Sequence, residues 1–478
     1  MVGWAAPHDY RICRAALPDF RSVTRYGGRI MVNLPEQARD LLREHGPTAP
    51  VWRRRVAILG GAVTIGLVAL LFAHLADWAG ERFTVLAMRW WWAPLIVTPL
   101  GYAAIAGITA RLAPAARGSG IPQVMAATRD PDHAMSALVS ARIVIVKLGL
   151  TIGTLLVGAS TGREGPTVQV AASIMGYAHR IMAIPLRASV FIAGGAAGVA
   201  GAFNTPLAGV AFAIEELAAA YEQRMTLLVM TAVLIAGMTS LGLSGDYVYF
   251  GVMRQTLSVR ETMLAAPCAG VLGGLMGAFF SRAVLATGRT RWSPVAWLRA
   301  RPMLFAGLLG AIVAIIGVAT GLTWGTGYSA ARAIITGADA PHWYGLAKLA
   351  TTLATAVSGM PGGIFAPSLS VGAGVGDMLR WLFPTYPGGA IVLLGMVAYF
   401  TGVVRAPLTA VIIISETTAS RGLMMPLLAS ALIADVVAQT VSKERLYHAL
   451  SLSFLPPPTE TDAEAESARH DPAETPRS

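Results

Sequence analysis

Charged side chains are scarce in this sequence of 478 residues, of which 13% are charged and 55% hydrophobic. A soluble globular protein carries about 25% charged residues, so about half of the usual charge is missing. Apolar runs follow one another from residue 56 to residue 441, and the run at 56–78 is long enough to cross about 30 Å of hydrocarbon. The composition therefore argues against a soluble protein with one very large core and predicts a polytopic α-helical membrane protein.

Lysine and cysteine are also rare. The three lysines are Lys147, Lys348 and Lys443, and none of them follows a glycine, so the phosphate-binding loop of a nucleotide-driven pump is absent. Cys13 and Cys268 are too few for a disulfide framework, and we expect two unpaired thiols. No His/Cys spacing typical of a metal site occurs, so neither a metal nor another cofactor is predicted.

The net charge of +11 is concentrated before the first apolar run. Residues 1–55 hold ten Arg and five acids and end in three consecutive arginines. The positive-inside rule places this N-terminus in the cytoplasm, and the first thirty residues lack the apolar core of a signal peptide. We interpret residues 1–54 as a cytoplasmic arm with a short helix around Leu34–Glu44, and 453–478 as a disordered tail. The charge is not taken as a sign of nucleic-acid binding.

The region between the arm and the tail contains an internal repeat. At a shift of 201 residues, the segment 147–173 matches 348–374 at nine of 27 positions, where about two or three would be expected from the composition. At the same shift, the segment 204–217 lies over 405–418 and pairs Glu215 with Glu416. We therefore predict two homologous halves, at about 55–243 and 261–452. The residues alone leave open whether the halves are inverted or parallel.

Several apolar segments inside the halves are too short to span a bilayer. Runs of ten to sixteen residues indicate helices that enter the membrane, stop midway and meet other half-helices, as in transporters with discontinuous helices. The short segments are 165–175, 188–203, 206–218, 365–376 and 406–418.

Three glycine-rich turns precede such segments: "GSGIP" (118–122), "GREGP" (162–166) and "GIFAP" (363–367). Proline is favoured in the first turn of a helix, so each turn is predicted to begin a helix. A helix N-terminus carries unpaired N–H groups and about half a positive elementary charge. Three such ends that converge inside a membrane would bind an anion without holding it as tightly as a lysine would. Any one turn alone is equally typical of an ordinary helix start at a close helix contact.

Glu164 is a carboxylate at one of these predicted anion sites. Burial favours its neutral form and the helix N-terminus favours its charged form, so the balance between the two is close. When ionised, the carboxylate would occupy the position of the permeant ion, and when protonated it would leave that position. The alternative is that Arg163 and Glu164 only cap the helix, but carboxylates within a membrane are functional by default.

A second carboxylate pair, Glu215 and Glu216, lies at the end of the segment 206–217. Glu215 has a repeat partner in Glu416, which suggests a shared packing or hydrogen-bonding role. Glu216 has no such partner, so it is the better candidate for passing protons to the cytoplasmic side. Lys147 and Lys348 lie in apolar segments, where we expect them to satisfy carbonyl groups or paired acids, without a transport role.

The motifs "GSGIPQV", "GREGPTVQ", "GGIFAP" and "RLYHAL" together resemble the CLC family of chloride channels and transporters over about residues 55–452. The resemblance implies an all-α homodimer whose subunits each consist of two inverted halves of broken helices around their own pore. It also implies that no nucleotide is bound, because the paired cytoplasmic regulatory domains of many eukaryotic members are missing.

The resemblance further implies roles for individual residues. Hydroxyl groups of Ser119 and Tyr447 and the backbone N–H groups of Ile364 and Phe365 would bind the central anion. Serine at position 119 is similar to the chloride-preferring members, whereas Gln123 departs from a frequent glutamate and is not expected to touch the ion. With the other residues of the turns, the predicted anion-binding set is Ser119, Gly120, Ile121, Arg163, Gly165, Ile364, Phe365 and Tyr447.

By the same resemblance, Glu164 is the external gating glutamate and Glu216 the internal proton glutamate. An acid at the position of Glu216 is similar to the proton-coupled exchangers of the family, while many passive channels have an apolar residue there. The sequence therefore predicts chloride/proton antiport in a bacterial-type inner membrane. A passive chloride channel on the same scaffold is the nearest alternative, and an intramembrane enzyme that uses Glu164 with Arg163 is a more distant one.

Overall fold

The computed structural model of the protein describes residues 23–26, 29–32, 49–217, 223–245, 248–290, 292–338 and 340–455. In the N-terminal unit, Met1–Trp52, two short strands pair as an antiparallel hairpin, β1 (Val23–Tyr26) and β2 (Arg29–Val32). The helix predicted around Leu34–Glu44 and the tail from residue 456 lie outside the described residues. In the second unit, Arg53–Ser478, the described regular elements are helices, mostly α-helices with a few short 3₁₀ and π-helical turns.

The helices of this second unit vary greatly in length. They are α1 (Ala49–Arg89), α2 (Pro94–Leu112), α3 (Ile121–Arg129), α4 (Pro131–Ala137), α5 (Ala141–Leu156), α6 (Glu164–Ile181), α7 (Ala188–Phe203), α8 (Pro206–Phe212), α9 (Gln223–Ser244), α10 (Val259–Arg289), α11 (Ser293–Arg299), α12 (Pro302–Thr320), α13 (Tyr328–Ile335), α14 (Tyr344–Val357), α15 (Phe365–Arg380), α16 (Gly388–Val404), α17 (Pro407–Thr418), α18 (Met424–Val441) and α19 (Leu446–Ser451). Within the described ranges, six of these helices are long and apolar enough to cross a membrane, or seven if the bent pair α4 and α5 forms one span. The prediction of a polytopic membrane protein is confirmed.

Two of the shorter apolar helices, α7 and α16, lie in the interior. Helix α7 has 16 residues and is about 24 Å long at 1.5 Å per residue, which is less than the thickness of the hydrocarbon layer. Helices α7 and α16 are buried along almost their whole length. Helices that are apolar all round are expected at the centre of a large helical protein, and these two form its core.

The two halves repeat the same pattern of helix ends. Helices α6 and α8 begin 201 residues before α15 and α17. Helices α7 and α16 each end at a non-glycine residue in the left-handed conformation, Asn204 with φ +57° and Arg405 with φ +64°. Left-handed residues end many helices because they free the chain to turn, and in both halves a proline then starts the next helix. The predicted repeat is confirmed at the level of individual backbone angles.

Reciprocal contacts show how the halves are related. Gly162 and Gly363 form an isolated antiparallel bridge in which each N–H donates to the other carbonyl at 2.7 Å. The Glu215 carboxylate accepts from the backbone N–H of Leu408 at 2.9 Å, and the Glu416 carboxylate accepts from the equivalent N–H of Leu207 at 3.3 Å. Equivalent residues that exchange equivalent bonds across an antiparallel pair are related by a local two-fold rotation. This is the symmetry of an inverted repeat whose axis lies in the membrane plane.

Candidate anion and proton site

The three predicted turns meet at one place. Besides the bridge between Gly162 and Gly363, the N–H of Gly118 donates to the carbonyl of Met360 at 3.2 Å. The N–H of Gly362 donates back to the carbonyl of Gly118 at 3.1 Å. Backbone hydrogen bonds thus join "GSGIP" and "GREGP" to the segment that carries "GIFAP". The convergence predicted from the sequence is confirmed.

Glycine is required where the turns touch. A Cβ atom at Gly165 would lie 2.8 Å from the carbonyl oxygen of Ser119, and a Cβ at Gly363 would lie 2.9 Å from the amide nitrogen of Gly165. Both distances are shorter than real Cβ atoms tolerate. Gly120 has φ +105°, in a region that side chains disfavour. Any larger residue would therefore push the helix starts apart.

Each turn leads directly into a helix, as predicted. Helix α3 begins at Ile121 with Pro122 in its first turn, and helices α6 and α15 begin two residues before Pro166 and Pro367. The first N–H groups of a helix have no partner within it, so proline costs nothing there. The N-termini of α6 and α15 lie side by side at the bridge, and their partial positive charges favour an anion between them.

Two buried hydroxyl groups point into the same region. The Ser119 hydroxyl lies against Gly165 at the start of α6, and the Tyr447 phenol of α19 faces Ser119. Apart from each other, these oxygens have no hydrogen-bond partner among the residues that the structure describes. Buried polar groups in proteins are nearly always satisfied by protein, water or a bound ion. Two hydroxyls directed at one point therefore mark the place where a ligand with hydrogen-bond acceptor character fits.

Aromatic rings pack tightly around the start of α15. The ring of Phe365 contacts those of Phe400 at 5.0 Å, Phe212 at 5.8 Å, Tyr447 at 6.0 Å and Phe203 at 6.2 Å between centroids. This cluster fixes the position of the Tyr447 phenol. It also keeps the surroundings of the hydroxyl pair poor in charge, so partial charges from the helix ends act with little screening.

Glu164 is fully buried at the start of α6. Its Oε2 atom lies against Gly162, and the carboxylate approaches the backbone amide of Ala366, so it sits between the N-termini of α6 and α15. Its Oε1 atom accepts a hydrogen bond of 2.6 Å from the Tyr328 hydroxyl, while Oε2 has no hydrogen-bond partner in the described part of the chain. The carboxylate thus occupies a position that suits an anion.

Arg163 is directed to a different set of contacts. Its guanidinium forms an ion pair of 2.8 Å with Asp77 and donates hydrogen bonds to the Tyr249 hydroxyl and the Ala73 carbonyl. These groups hold the "GREGP" turn to α1. The anion-binding role predicted for the Arg163 side chain has no contact in its favour, and we do not carry it into the proposal below.

The two buried lysines satisfy carbonyl groups, as expected. Lys147 donates to the carbonyl oxygens of Ala116 at 2.8 Å and Gly118 at 2.5 Å. In the other half, Lys348 donates to those of Thr323 at 2.9 Å and Gly325 at 2.8 Å. Each lysine draws the carbonyls of a glycine-rich turn towards itself.

The adjacent acids Glu215 and Glu216 have separate environments. The Glu215 carboxylate accepts from the N–H of Thr409 and from its hydroxyl, both at 2.7 Å, so it caps α17. Glu216 lies in a π-helical turn, Ala213–Leu217, and is buried. Neither of its carboxylate oxygens has a hydrogen-bond partner within the described ranges. The structural role predicted for Glu215 is confirmed. Glu216 does not share this capping role, so its carboxylate is available for a different one. Single π-helical turns are frequent at functional sites.

Two cavities lead towards the site from different sides. A cavity of about 580 Å³ reaches Ser119 and Gly118 and is lined by Arg117 and Arg299, and also by Arg289, which is paired with Glu444. A second cavity of about 950 Å³ reaches Tyr328. Positive charge at the mouth of a cleft concentrates anions there, so the first cavity is suited to supply an anion to the Ser119 hydroxyl.

Tyr328 is a site residue that the sequence did not reveal. It follows a further glycine-rich turn, "GTG" (325–327). In the second half this turn is the counterpart of "GSG" (118–120) in the first half. Lys147 lies 29 residues from Gly118, but Lys348 lies only 23 residues from Gly325. A comparison at the fixed shift of 201 residues therefore misses the pair. A gapped comparison anchored on the two lysines would have found it.

Comparison with known proteins places these features in a family. A family model described as "Voltage gated chloride channel" matches residues 101–439. An "H(+)/Cl(-) exchange transporter ClcA" from Yersinia pestis is 32% identical over 428 residues, which cover 83% of this chain and 86% of that protein. This chain belongs to the voltage-gated chloride channel family, CLC. The resemblance noted in the motifs is thereby confirmed.

Other CLC proteins agree in sequence and in fold. A ClcA exchange transporter from Klebsiella pneumoniae is 29% identical over 80% of this chain and 84% of that protein. The crystal structure of a slow cyanobacterial Cl⁻/H⁺ antiporter matches with a TM-score of 0.71 at 24% identity, over 84% of this chain and 97% of that one. A CLC-type fluoride/proton antiporter matches with a TM-score of 0.70 at 20% identity, over 83% of this chain and 96% of that one. These relatives are transporters, and we drop the enzyme alternative.

Proposed function

We propose that this CLC protein exchanges chloride for protons across a bacterial inner membrane. The observation that carries the proposal is the meeting of the Ser119 and Tyr447 hydroxyls with the N-termini of α6 and α15, where the Glu164 carboxylate also lies. Backbone N–H groups of Gly120, Ile121 and Gly165 add partial positive charge around this point. The curated relatives cited above are named as H⁺/Cl⁻ exchangers, which supports chloride as the anion.

Chloride binds between the two hydroxyls, and the N–H groups of Ile364 and Phe365 face it from the start of α15. No full positive charge touches the ion, because Arg163 is paired with Asp77. An ion held only by partial charges is bound firmly enough to enter and weakly enough to leave. Anions reach this place from the cavity lined by Arg117 and leave past Glu164.

Glu164 competes with chloride for the helix starts. While it is ionised, its carboxylate fills the outer part of the pathway and repels a second anion. A proton from the outer side neutralises the carboxylate, which then loses its attraction to the N-termini of α6 and α15 and turns away. Chloride moves into the vacated place, and the proton leaves Glu164 towards the inner side. Each cycle therefore moves chloride and protons in opposite directions.

Glu216 receives the proton on its way to the cytoplasm. Its buried carboxylate has free oxygens and lies within electrostatic reach of Arg445 and Arg405, which offset part of the cost of burying a charge. Tyr447 is within electrostatic reach of both Glu164 and Glu216, so both acids lie near the proposed anion site. A passive channel needs the first acid as a gate but has no use for the second, and Glu216 therefore favours exchange.

We also propose an orientation in the membrane. The first turns of α1, which carry Arg53, Arg54 and Arg55, lie on the cytoplasmic side, in accordance with the positive-inside rule. Arg54 is within electrostatic reach of His179 near the end of α6, so α6 ends on the cytoplasmic side and its start faces the interior. We also propose a homodimer with one complete site in each subunit, as the CLC resemblance implies, in a lipid bilayer and without nucleic-acid or nucleotide partners.

Flux from purified protein tests the exchange. In sealed liposomes that contain only this protein, an inward chloride gradient is expected to drive protons outward against their own gradient, without any nucleotide. Protein-free liposomes are the control. If chloride flux occurs while the voltage is clamped with an ionophore and no proton movement accompanies it, the protein is a passive channel and the antiport proposal is wrong.

A further inference from the structure

The hydroxyl of Tyr328 makes the one side-chain hydrogen bond to Glu164 among the described residues, at 2.6 Å to Oε1. Tyr328 belongs to neither the anion-binding set nor the proton pathway proposed above. It comes from the opposite half of the protein, at the start of α13, and it lines the cavity of about 950 Å³. The bond therefore reaches the Glu164 carboxylate from the side of that cavity.

The backbone that carries Tyr328 is firmly held. Gly327 precedes it with φ +80°, and the carbonyl of Gly327 accepts a hydrogen bond of 3.0 Å from the Ser370 hydroxyl of α15. Lys348 fixes the carbonyl of Gly325 in the same turn. The turn repeats the arrangement of the Gly118 turn, but it directs a hydroxyl at the gating carboxylate instead of at the central anion site.

The ring of Tyr328 is also held on its faces. It packs on the ring of Tyr249 at 4.9 Å and on that of Phe250 at 5.5 Å between centroids. The Tyr249 hydroxyl accepts from Arg163, which is the neighbour of Glu164 in the chain. Phe250 is tied to α17 by its N–H, which donates to the carbonyl of Thr417 at 3.0 Å. A donor whose ring is fixed in advance loses little conformational entropy when it makes its hydrogen bond.

We propose that Tyr328 is a positioning residue that holds the ionised Glu164 side chain between the N-termini of α6 and α15 and thereby slows the opening of the anion pathway. The proposal rests on the gating role of Glu164 proposed above. A hydrogen bond from a neutral donor to a carboxylate is stronger than one between neutral groups. It stabilises the seated, ionised form of Glu164 and is lost when the side chain turns away. Breaking it is therefore part of the barrier to every transport cycle.

Replacing Tyr328 with phenylalanine tests this role, because Tyr328→Phe keeps the ring and its packing and removes only the hydroxyl. We expect chloride turnover in liposomes to rise about tenfold, the change that about 1.4 kcal/mol of barrier corresponds to. The ratio of protons to chloride is expected to stay unchanged. Tyr102→Phe is the matched control, since the Tyr102 hydroxyl makes a buried bond of 2.7 Å to Thr355, away from Glu164. Its turnover is expected to match that of the wild type.

A double-mutant cycle separates an effect through Glu164 from a general loosening of the fold. In a Glu164→Ala background there is no carboxylate to hold, so adding Tyr328→Phe should leave chloride turnover unchanged. An equal rise in both backgrounds would overturn the proposal. So would an unchanged rate in Tyr328→Phe alone, or a loss of proton flux with normal chloride flux, which would make the phenol a proton donor instead.

The proposed function can fail independently of this inference. If Glu164→Ala retains proton coupling, Glu164 is not the gate, and both proposals are wrong. If Glu164→Ala uncouples the protein while Tyr328→Phe turns over at the wild-type rate, the gate stands and only the role of Tyr328 is refuted.

Discussion

Glu164→Gln is expected to abolish proton transport while chloride still crosses the membrane. Glutamine has nearly the same shape as a protonated glutamate, but it neither carries a proton nor becomes an anion. It therefore cannot compete electrostatically for the N-termini of α6 and α15, and the pathway stays permanently in the form that admits chloride. In liposomes, proton flux driven by a chloride gradient should fall to the level of protein-free vesicles.

Glu416→Gln is a suitable control for this experiment. The Glu416 carboxylate also binds helix N–H groups, those of Leu207 and Ala208, but it lies in the structural position equivalent to Glu215 and away from the anion site. We expect this variant to keep its proton coupling. Proton flux that persists in Glu164→Gln at the wild-type ratio to chloride would refute the gating role of Glu164.

The second large effect is expected at Glu216. In Glu216→Gln, Glu164 is intact and can still be protonated. A proton bound to Glu164, however, has no acid on the inner side to which it can be transferred. Proton transport should again fall to background, and chloride should continue to cross by the slower route in which Glu164 exchanges its proton with the outer side alone. Simultaneous recording of chloride and proton fluxes measures both results on the same vesicles.

Glu215→Gln provides the comparison, because it changes the adjacent residue in the same way. Glutamine keeps one of the two acceptor oxygens that bind Leu408 and Thr409 and replaces the other with an NH₂ donor. This change should lower the thermal stability of the protein and leave the proton-to-chloride ratio as in the wild type. Uncoupling by Glu215→Gln together with normal coupling in Glu216→Gln would reverse the roles assigned to these two acids.

Much of the fold could be predicted because its signals are local. The scarcity of charge and the lengths of the apolar runs predict membrane helices, and the proline in each turn predicts where a helix begins. The repeat adds information that no single motif contains. It pairs Gly162 with Gly363, which bond to each other, and Glu215 with Glu416, each of which binds N–H groups at a helix start in the opposite half. Equivalent residues of an inverted repeat meet wherever they lie on the symmetry axis.

The contacts around Glu164 could not be predicted in the same way. Tyr328 and Asp77 lie far from Glu164 in the chain and come from α13 and α1, and neither stands in a periodic pattern that singles it out. Arg163 was included in the predicted anion-binding set with the other residues of the turns. Successive residues at a helix start point in different directions, however, and Arg163 instead meets Tyr249 and Asp77.

The most direct test of the central claim is anomalous diffraction from crystals of this protein grown with bromide. The central claim is that helix N-termini and two hydroxyls bind the halide and that Glu164 competes with it for the adjacent position. Wild-type crystals should therefore show a bromide peak between the hydroxyls of Ser119 and Tyr447. Crystals of Glu164→Gln should show a second peak where the carboxylate lies. The absence of a peak beside Ser119 in both crystals, with bromide bound elsewhere, would contradict this account.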